Sequence, residues 1–136
     1  MRAIFGPHGV ISAALSPSGA PARVLASWLE GRFELIASPG LVDELALALA
    51  YPKLRKRIRE EDELALTRLV ARGSVFREDA DDPPRISPDP GDDYLISPAR
   101  ESEAVLVSGD SDLLSLAPGL PVFTPRKFLE WLDRQD

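Results

Sequence analysis

The sequence predicts a three-layer α/β/α domain with a central parallel sheet, and three observations carry that expectation. Four short runs, residues 2–5, 33–37, 104–107 and 121–124, are rich in Ile, Val, Leu and Phe, and each ends at Gly, Ser or Pro. Such runs suit strands buried on both faces. Between and after them lie longer stretches whose apolar residues recur with helical period. Strand and helix alternate through short connections, which calls for parallel pairing and right-handed crossovers.

Taken in order, residues 2–5 form the first strand and stop at Gly6-Pro7. Ser18 and Pro21 signal a helix start, and 21–31 sets Leu25, Trp28 and Leu29 on one face. Strand 33–37 leads through Ser38-Pro39 into helix 41–50, with Leu41, Leu45, Ala48 and Leu49 forming its stripe. A basic run over 53–59 holds Lys53, Arg55, Lys56, Arg57 and Arg59 and is followed at once by the acids at 60–63. It reads either as a solvated helix pair with charges bonding across the turn or as a phosphate-contacting patch. Helix 61–72 carries Leu66, Leu69 and Val70, and 77–90, with Asp79, Asp81, Asp82 and four prolines, reads as a loop where the two halves of the sheet join. Strands 104–107 and 121–124 follow, and Thr124-Pro125 opens helix 125–134 with Phe128, Leu129 and Leu132 inward. No internal repeat interrupts this layout, so one domain over 1–136 is expected.

Composition narrows the chemistry. The formal net charge is -6, with 11 basic and 8 acidic residues up to Arg77 but 5 basic and 14 acidic after it, so any nucleic-acid contact must be local. Absence of Cys removes thiol nucleophiles, disulfides and thiolate zinc sites, and a single His excludes chemistry that needs two imidazoles. No apolar run approaches the ~20 residues of a membrane span, and the apolar start is too short for a signal-peptide core. A cytoplasmic protein with no membrane partner is expected.

Metal sites built on carboxylates remain. In parallel sheets ligands bind beyond the carboxyl ends of the strands, and three acidic features fall there. Glu44 lies beside the apolar stripe of helix 41–50, not opposite it. Asp92-Asp93 open the apolar segment Tyr94-Leu95-Ile96, where a helix cap explains the first acid and leaves the second free. Asp110 and Asp112 follow strand 104–107 in Ser108-Gly109-Asp110-Ser111-Asp112; each alone reads as a cap or turn former. Together such acids repel one another unless they hold a hard cation such as Mg²⁺ or Mn²⁺, which activates water and neutralises a phosphoryl oxygen. Phosphodiester hydrolysis is the natural use.

The order and spacing of several segments make the chain resemble PIN-domain proteins, in particular the toxins of toxin–antitoxin pairs that include VapC-type ribonucleases. The resemblance spans nearly the whole chain. It is carried by Met1-Arg2-Ala3-Ile4-Phe5 leading to the segment 10–19, by 33–39 followed by Asp43-Glu44-Leu45, by Tyr51-Pro52-Lys53-Leu54, by 89–96 and by 106–114. It implies a parallel-sheet fold and a Mg²⁺- or Mn²⁺-dependent ribonuclease site at Glu44, Asp93 and Asp110, with Asp112 as a further acid. Ser12 and Ser108 are weaker hydroxyl candidates. The implied partners are RNA, a cognate antitoxin and a second copy of the chain.

One position departs from the pattern. The family usually shows Asp-Thr-Asn or Asp-Pro-Asn at the end of the first strand, whereas this chain has Gly6-Pro7-His8-Gly9. One reading keeps the nuclease, with Glu44, Asp93, Asp110 and water holding one cation and His8 available as a nitrogen ligand that shifts preference towards Mn²⁺. The other is a degenerate PIN module that binds RNA or antitoxin. His8 itself reads either as that ligand or as an ordinary strand-end loop residue. Receiver-type and haloacid-dehalogenase-type chemistry both need an aspartyl nucleophile after an early strand, which Gly6-Pro7-His8 does not offer. No Gly-x-Gly-x-x-Gly follows a strand, so dinucleotide binding is not indicated. Trp28 reads as core in preference to interface, and Lys53, Arg55, Lys56, Arg57 and Arg59 are the candidate RNA contacts.

Overall fold

The computed structural model describes residues 1–79, 94–117 and 119–135, leaving aside the side chains of Arg55 and Ser97. Its elements run β1 (Arg2–Phe5), α1 (Pro7–Leu15), α2 (Ala20–Leu29), β2 (Glu34–Ala37), α3 (Pro39–Leu49), α4 (Pro52–Arg55), α5 (Glu60–Gly73) and β3 (Val75–Phe76). After the undescribed stretch come α6 (Ile96–Glu101), β4 (Val105–Val107), α7 (Ser111–Leu114), β5 (Val122–Phe123) and α8 (Pro125–Arg134). The strands form one parallel sheet in the order β3-β2-β1-β4-β5, the centre of a three-layer α/β/α domain.

That order places the site. The chain builds outward from β1 through β2 to β3, then returns to the other side of β1 with β4 and continues to β5. Neighbouring strands therefore send their connections in opposite directions at β1 and β4, which opens a crevice beyond their carboxyl ends. Register fixes its floor, since Phe5 pairs with Val107 at the last position of each strand. Ile4, Phe5, Leu35, Ile36, Leu106 and Val107 are all buried, which is why these strands read as unbroken apolar runs.

Four expected strands and four expected helices are present, with ends shifted by a residue or two. Phe33 precedes β2 and is buried edge-on against Phe128 of α8, ring centroids 5.1 Å apart. Trp28 is buried, as expected of a core residue, whereas its neighbour Leu29 is 61% exposed. Five elements lie outside the four expected strands and four expected helices: the short helices α4, α6 and α7, the strand β3 and the helix α1. The strand β3 is two residues long and lies at the sheet edge, too short to show alternation. The helix α1 starts directly after β1, with Gly6 as N-cap and Pro7 at its first position, so the Gly-Pro pair that ends the strand also begins a helix. His8 accordingly stands in the first turn of a helix, not in a loop as one expectation had it. Its neighbour Gly9 is required by packing: a Cβ there would overlap the Phe5 ring.

Of the expected loop 77–90, only 77–79 belong to the described residues, running on from β3 with the Arg77 N–H donating to the Ala37 carbonyl at 2.9 Å. No helix among the described residues is long and apolar enough to cross a membrane.

Candidate active site

Two strand ends and one helix build a cleft at the β1/β4 crevice. Beyond β1, Gly6 turns the chain so that Pro7, His8 and Gly9 line one wall. Beyond β4, Ser108 and Asp110 line the facing wall, and α3 contributes Glu44. Tyr94, Leu95 and Leu113 complete a space of about 220 Å³.

Each acid has a local reason for its place. Asp110 is the N-cap of α7, where its Oδ1 accepts the Asp112 N–H at 2.9 Å. The Asp110 N–H in turn donates to Ser108 Oγ at 2.9 Å, so the turn is braced from both sides. A carboxylate offers about four lone-pair sites, and the cap bond uses one. Glu44 sits in α3, whose start is capped by Ser38 Oγ accepting the Leu41 N–H at 3.2 Å. The apolar stripe of Leu41, Leu45 and Leu49 is buried, which seats that helix on the core and leaves Glu44 exposed at the cleft.

The structure thus brings together Glu44, Asp110, Ser108 and His8. Asp112 does not line the cleft; it is half-buried in the first turn of α7, tied to Asp110 through its amide. Ser12 is exposed on α1 one turn beyond His8, and its carbonyl accepts the Ser16 N–H at 3.0 Å. Asp92 and Asp93 lie outside the described residues. Lys53, Lys56 and Arg57 are exposed near α4, and none of them lines the cleft. Arg59 pairs with Glu61 at 2.9 Å, an exposed charge pair of the kind expected across that turn, while the Arg55 side chain lies outside the described residues.

Glu44 and Asp110 supply oxygen donors of the type that Mg²⁺ and Mn²⁺ prefer, and His8 a borderline nitrogen. The donor set fits a divalent cation in kind. In number it is short, since no group of three acidic or imidazole side chains able to hold an ion occurs among the described residues. The missing acid at position 6 is not excluded by the backbone. Gly6 has φ −62° and ψ 161°, open to any residue, and a Cβ there would meet the Leu95 Cδ1 at 3.6 Å, an ordinary contact. A second hollow of about 200 Å³, lined by Ile96, Ala99, Leu106, Leu120 and Val122, is apolar and holds no such donors.

A family model described as PIN domain matches residues 8–112, a span that includes Glu44, Asp93 and Asp110. The chain belongs to the PIN domain family. A Methanocaldococcus jannaschii protein named "Uncharacterized protein MJ1680" is 26% identical over 98% of this chain and 93% of its own length. Among solved structures, this PIN domain superposes on PAE2754 from Pyrobaculum aerophilum with TM-score 0.67 and 17% identity, covering 98% of this chain and 90% of that one. VapBC2 from Rickettsia felis, solved bound to a DNA fragment from its promoter, gives TM-score 0.60 at 13% identity over 90% of this chain and 97% of that one. These structural likenesses are of fold.

Proposed function

We propose that this chain, acting as one PIN domain over 1–136, is a metal-dependent endoribonuclease and the toxin of a toxin–antitoxin pair. The observation that carries the reading is the meeting of Glu44 and Asp110, 66 positions apart in sequence, in one cleft at the switch point of a parallel sheet. Family membership and the likeness to a VapBC protein support the toxin assignment. Cognate antitoxin, a homodimeric state and a cytoplasmic setting belong to the same proposal.

Glu44, Asp110 and Asp93 are the proposed ligands of Mg²⁺ or Mn²⁺, with His8 as an added nitrogen donor that favours Mn²⁺. When bound, the cation supplies an activated water and neutralises charge on the phosphoryl oxygen. The chain's own residues then have definable tasks. Ser108 holds the turn that presents Asp110, and Asp112, through its amide, fixes which carboxylate oxygen is used for the cap. Ser12 is a more distant hydroxyl candidate. Lys53, Arg55, Lys56, Arg57 and Arg59 are proposed to contact RNA phosphates outside the cleft, which an acidic protein needs if a polyanion is to approach it.

A second reading follows from Gly6: a PIN domain lacking the first acid that serves as an RNA- or antitoxin-binding module. Cleavage of single-stranded RNA in Mn²⁺ or Mg²⁺ separates the two. Metal-dependent cutting that Asp93→Asn, Asp110→Asn or Glu44→Gln abolishes supports the nuclease. Cutting that appears only in the double variant Gly6→Asp/His8→Asn assigns the native chain to binding.

A further inference from the structure

We propose that Asp79 is a positioning residue for the cleft: its carboxylate clasps the first turn of α3 and thereby sets where Glu44 stands. The proposal rests on the reading of the cleft as a cation site. The first turn of a helix leaves backbone donors without an intrahelical partner. In α3 they are accounted for one by one. Pro39 has no N–H, Gly40 N–H donates to Asp79 Oδ2 at 2.8 Å, Leu41 N–H donates to Ser38 Oγ at 3.2 Å, and Val42 N–H reaches the Ser38 carbonyl at 3.1 Å. Asp79 arrives from 39 residues downstream, just beyond the edge strand β3. The clasp therefore ties the β2–α3 junction to the chain leaving β3, at the same carboxyl edge that carries the cleft.

Two further observations separate this contact from an incidental cap. A Cβ at Gly40 would lie 2.9 and 3.0 Å from the two Asp79 oxygens, so the carboxylate can approach only because residue 40 has no side chain. Gly40 lies in a helical turn, where alanine is otherwise the better residue, so its use there is explained by Asp79. Moreover, Asp79 Oδ1 is buried and accepts no hydrogen bond among the described residues. A buried carboxylate oxygen without a partner is unfavourable, and a Ser or Asn could cap the helix without it. The one hydrogen bond this carboxylate is shown to accept is that of Gly40 N–H, which points to placement of α3 as its task. Glu44 follows Gly40 by four residues, one turn along the same side of the helix. A shift of the first turn is thus passed directly to Glu44.

The test uses the full chain with Asp79→Ala, Gly40→Ala and the double variant, and Glu44→Gln as reference. Mn²⁺ affinity is read by calorimetry, and amide NMR shifts of His8, Glu44 and Asp110 are read without metal. Each single change is expected to weaken Mn²⁺ binding by about tenfold, the usual effect of removing a group that orients a ligand, and to move the Glu44 and cleft amides. The double variant should bind no more weakly than Asp79→Ala and melt above it, because alanine at 40 then simply favours the helix. Asp79→Asn, which keeps an acceptor for Gly40 N–H, should retain affinity; if Asp79→Ala does not fold, this variant decides. Lower melting with unchanged Mn²⁺ affinity and unchanged Glu44 and cleft shifts overturns the proposal, as does a folded Asp79→Asn that loses Mn²⁺. If the native chain and all variants bind no Mn²⁺, the cation reading fails separately, and the Glu44 shifts alone decide the positioning claim.

Discussion

Installing an acid at Gly6 probes the cleft most directly, because the position is open yet contributes no donor. In Gly6→Asp the backbone at φ −62° and ψ 161° needs no adjustment, and the new Cβ meets Leu95 Cδ1 at 3.6 Å. Without metal, three modest effects act. Asp in place of Gly at an N-cap adds a few tenths of a kcal/mol, and a charge at the start of α1 adds roughly 0.3–1 kcal/mol. Repulsion from the carboxylates of Glu44 and Asp110 opposes these by up to about 1 kcal/mol in a solvated cleft. The net change should stay within about 1 kcal/mol, or roughly 4 °C in melting temperature for a chain of this size. With metal, a tenfold gain in affinity from one more anionic ligand is worth about 1.4 kcal/mol at saturation. Melting curves of both proteins in EDTA and across a Mn²⁺ series measure the difference. The Mn²⁺-induced rise should be larger in the variant by roughly 5 °C. Equal rises in both proteins would refute the claim that residue 6 faces an ion shared with Glu44 and Asp110. A fall of more than about 8 °C in EDTA would refute the claim that the position is open.

Further outcomes follow from the same geometry. Gly9→Ala forces a methyl into the Phe5 ring and should destabilise the fold by about 1–3 kcal/mol in urea unfolding, as overpacking does. Ser108→Ala removes the acceptor for the Asp110 N–H; it is expected to lower stability by about 1 kcal/mol and Mn²⁺ affinity by about tenfold, measured by urea melts and calorimetry. Changing Lys53 and Lys56 together to Gln should reduce the salt slope of RNA binding by about 2 with little effect on melting, and an unchanged slope would leave these lysines a solvated face.

The legible parts of this protein are those where one physical signal dominates. β1, β2 and β4 are buried, so burial wrote them into the sequence as apolar runs. Asp110 was legible because a strand end followed by Ser-x-Asp is both a turn and a ligand pattern, and Glu44 because it stands beside a stripe that has to face the core. The helix α1 was hidden by Gly6-Pro7 and Gly9, residues that usually break structure; here one caps the helix and another lets it pack on Phe5. The strand β3 carries too few residues to show a period. In the sequence Asp79 belongs to a polar stretch, and nothing local marks it. Its partner Gly40 is 39 residues away, and only the placement of β3 beside β2 brings the two together.

The departure at Gly6 is intelligible on the same terms. Core residues form the floor of the cleft, where Phe5 and Val107 are buried and paired, while position 6 itself is open to a side chain. An acid at position 6 contributes to a cation site and, in the absence of a cation, adds repulsion to Glu44 and Asp110. Its presence or absence therefore changes the stability of the fold by no more than about 1 kcal/mol, and a PIN architecture is compatible with either chemistry. Asp79 behaves differently, because its carboxylate is part of how α3 is held. If the cleft had lost every ligand function, substitution of Asp79 by a neutral cap and of Gly40 by alanine would cost the fold little, since together they remove an unpaired buried oxygen and a helical glycine. What Asp79 and Gly40 contribute is then the placement of Glu44 more than the stability of the fold, and a placed Glu44 is what the nuclease reading requires.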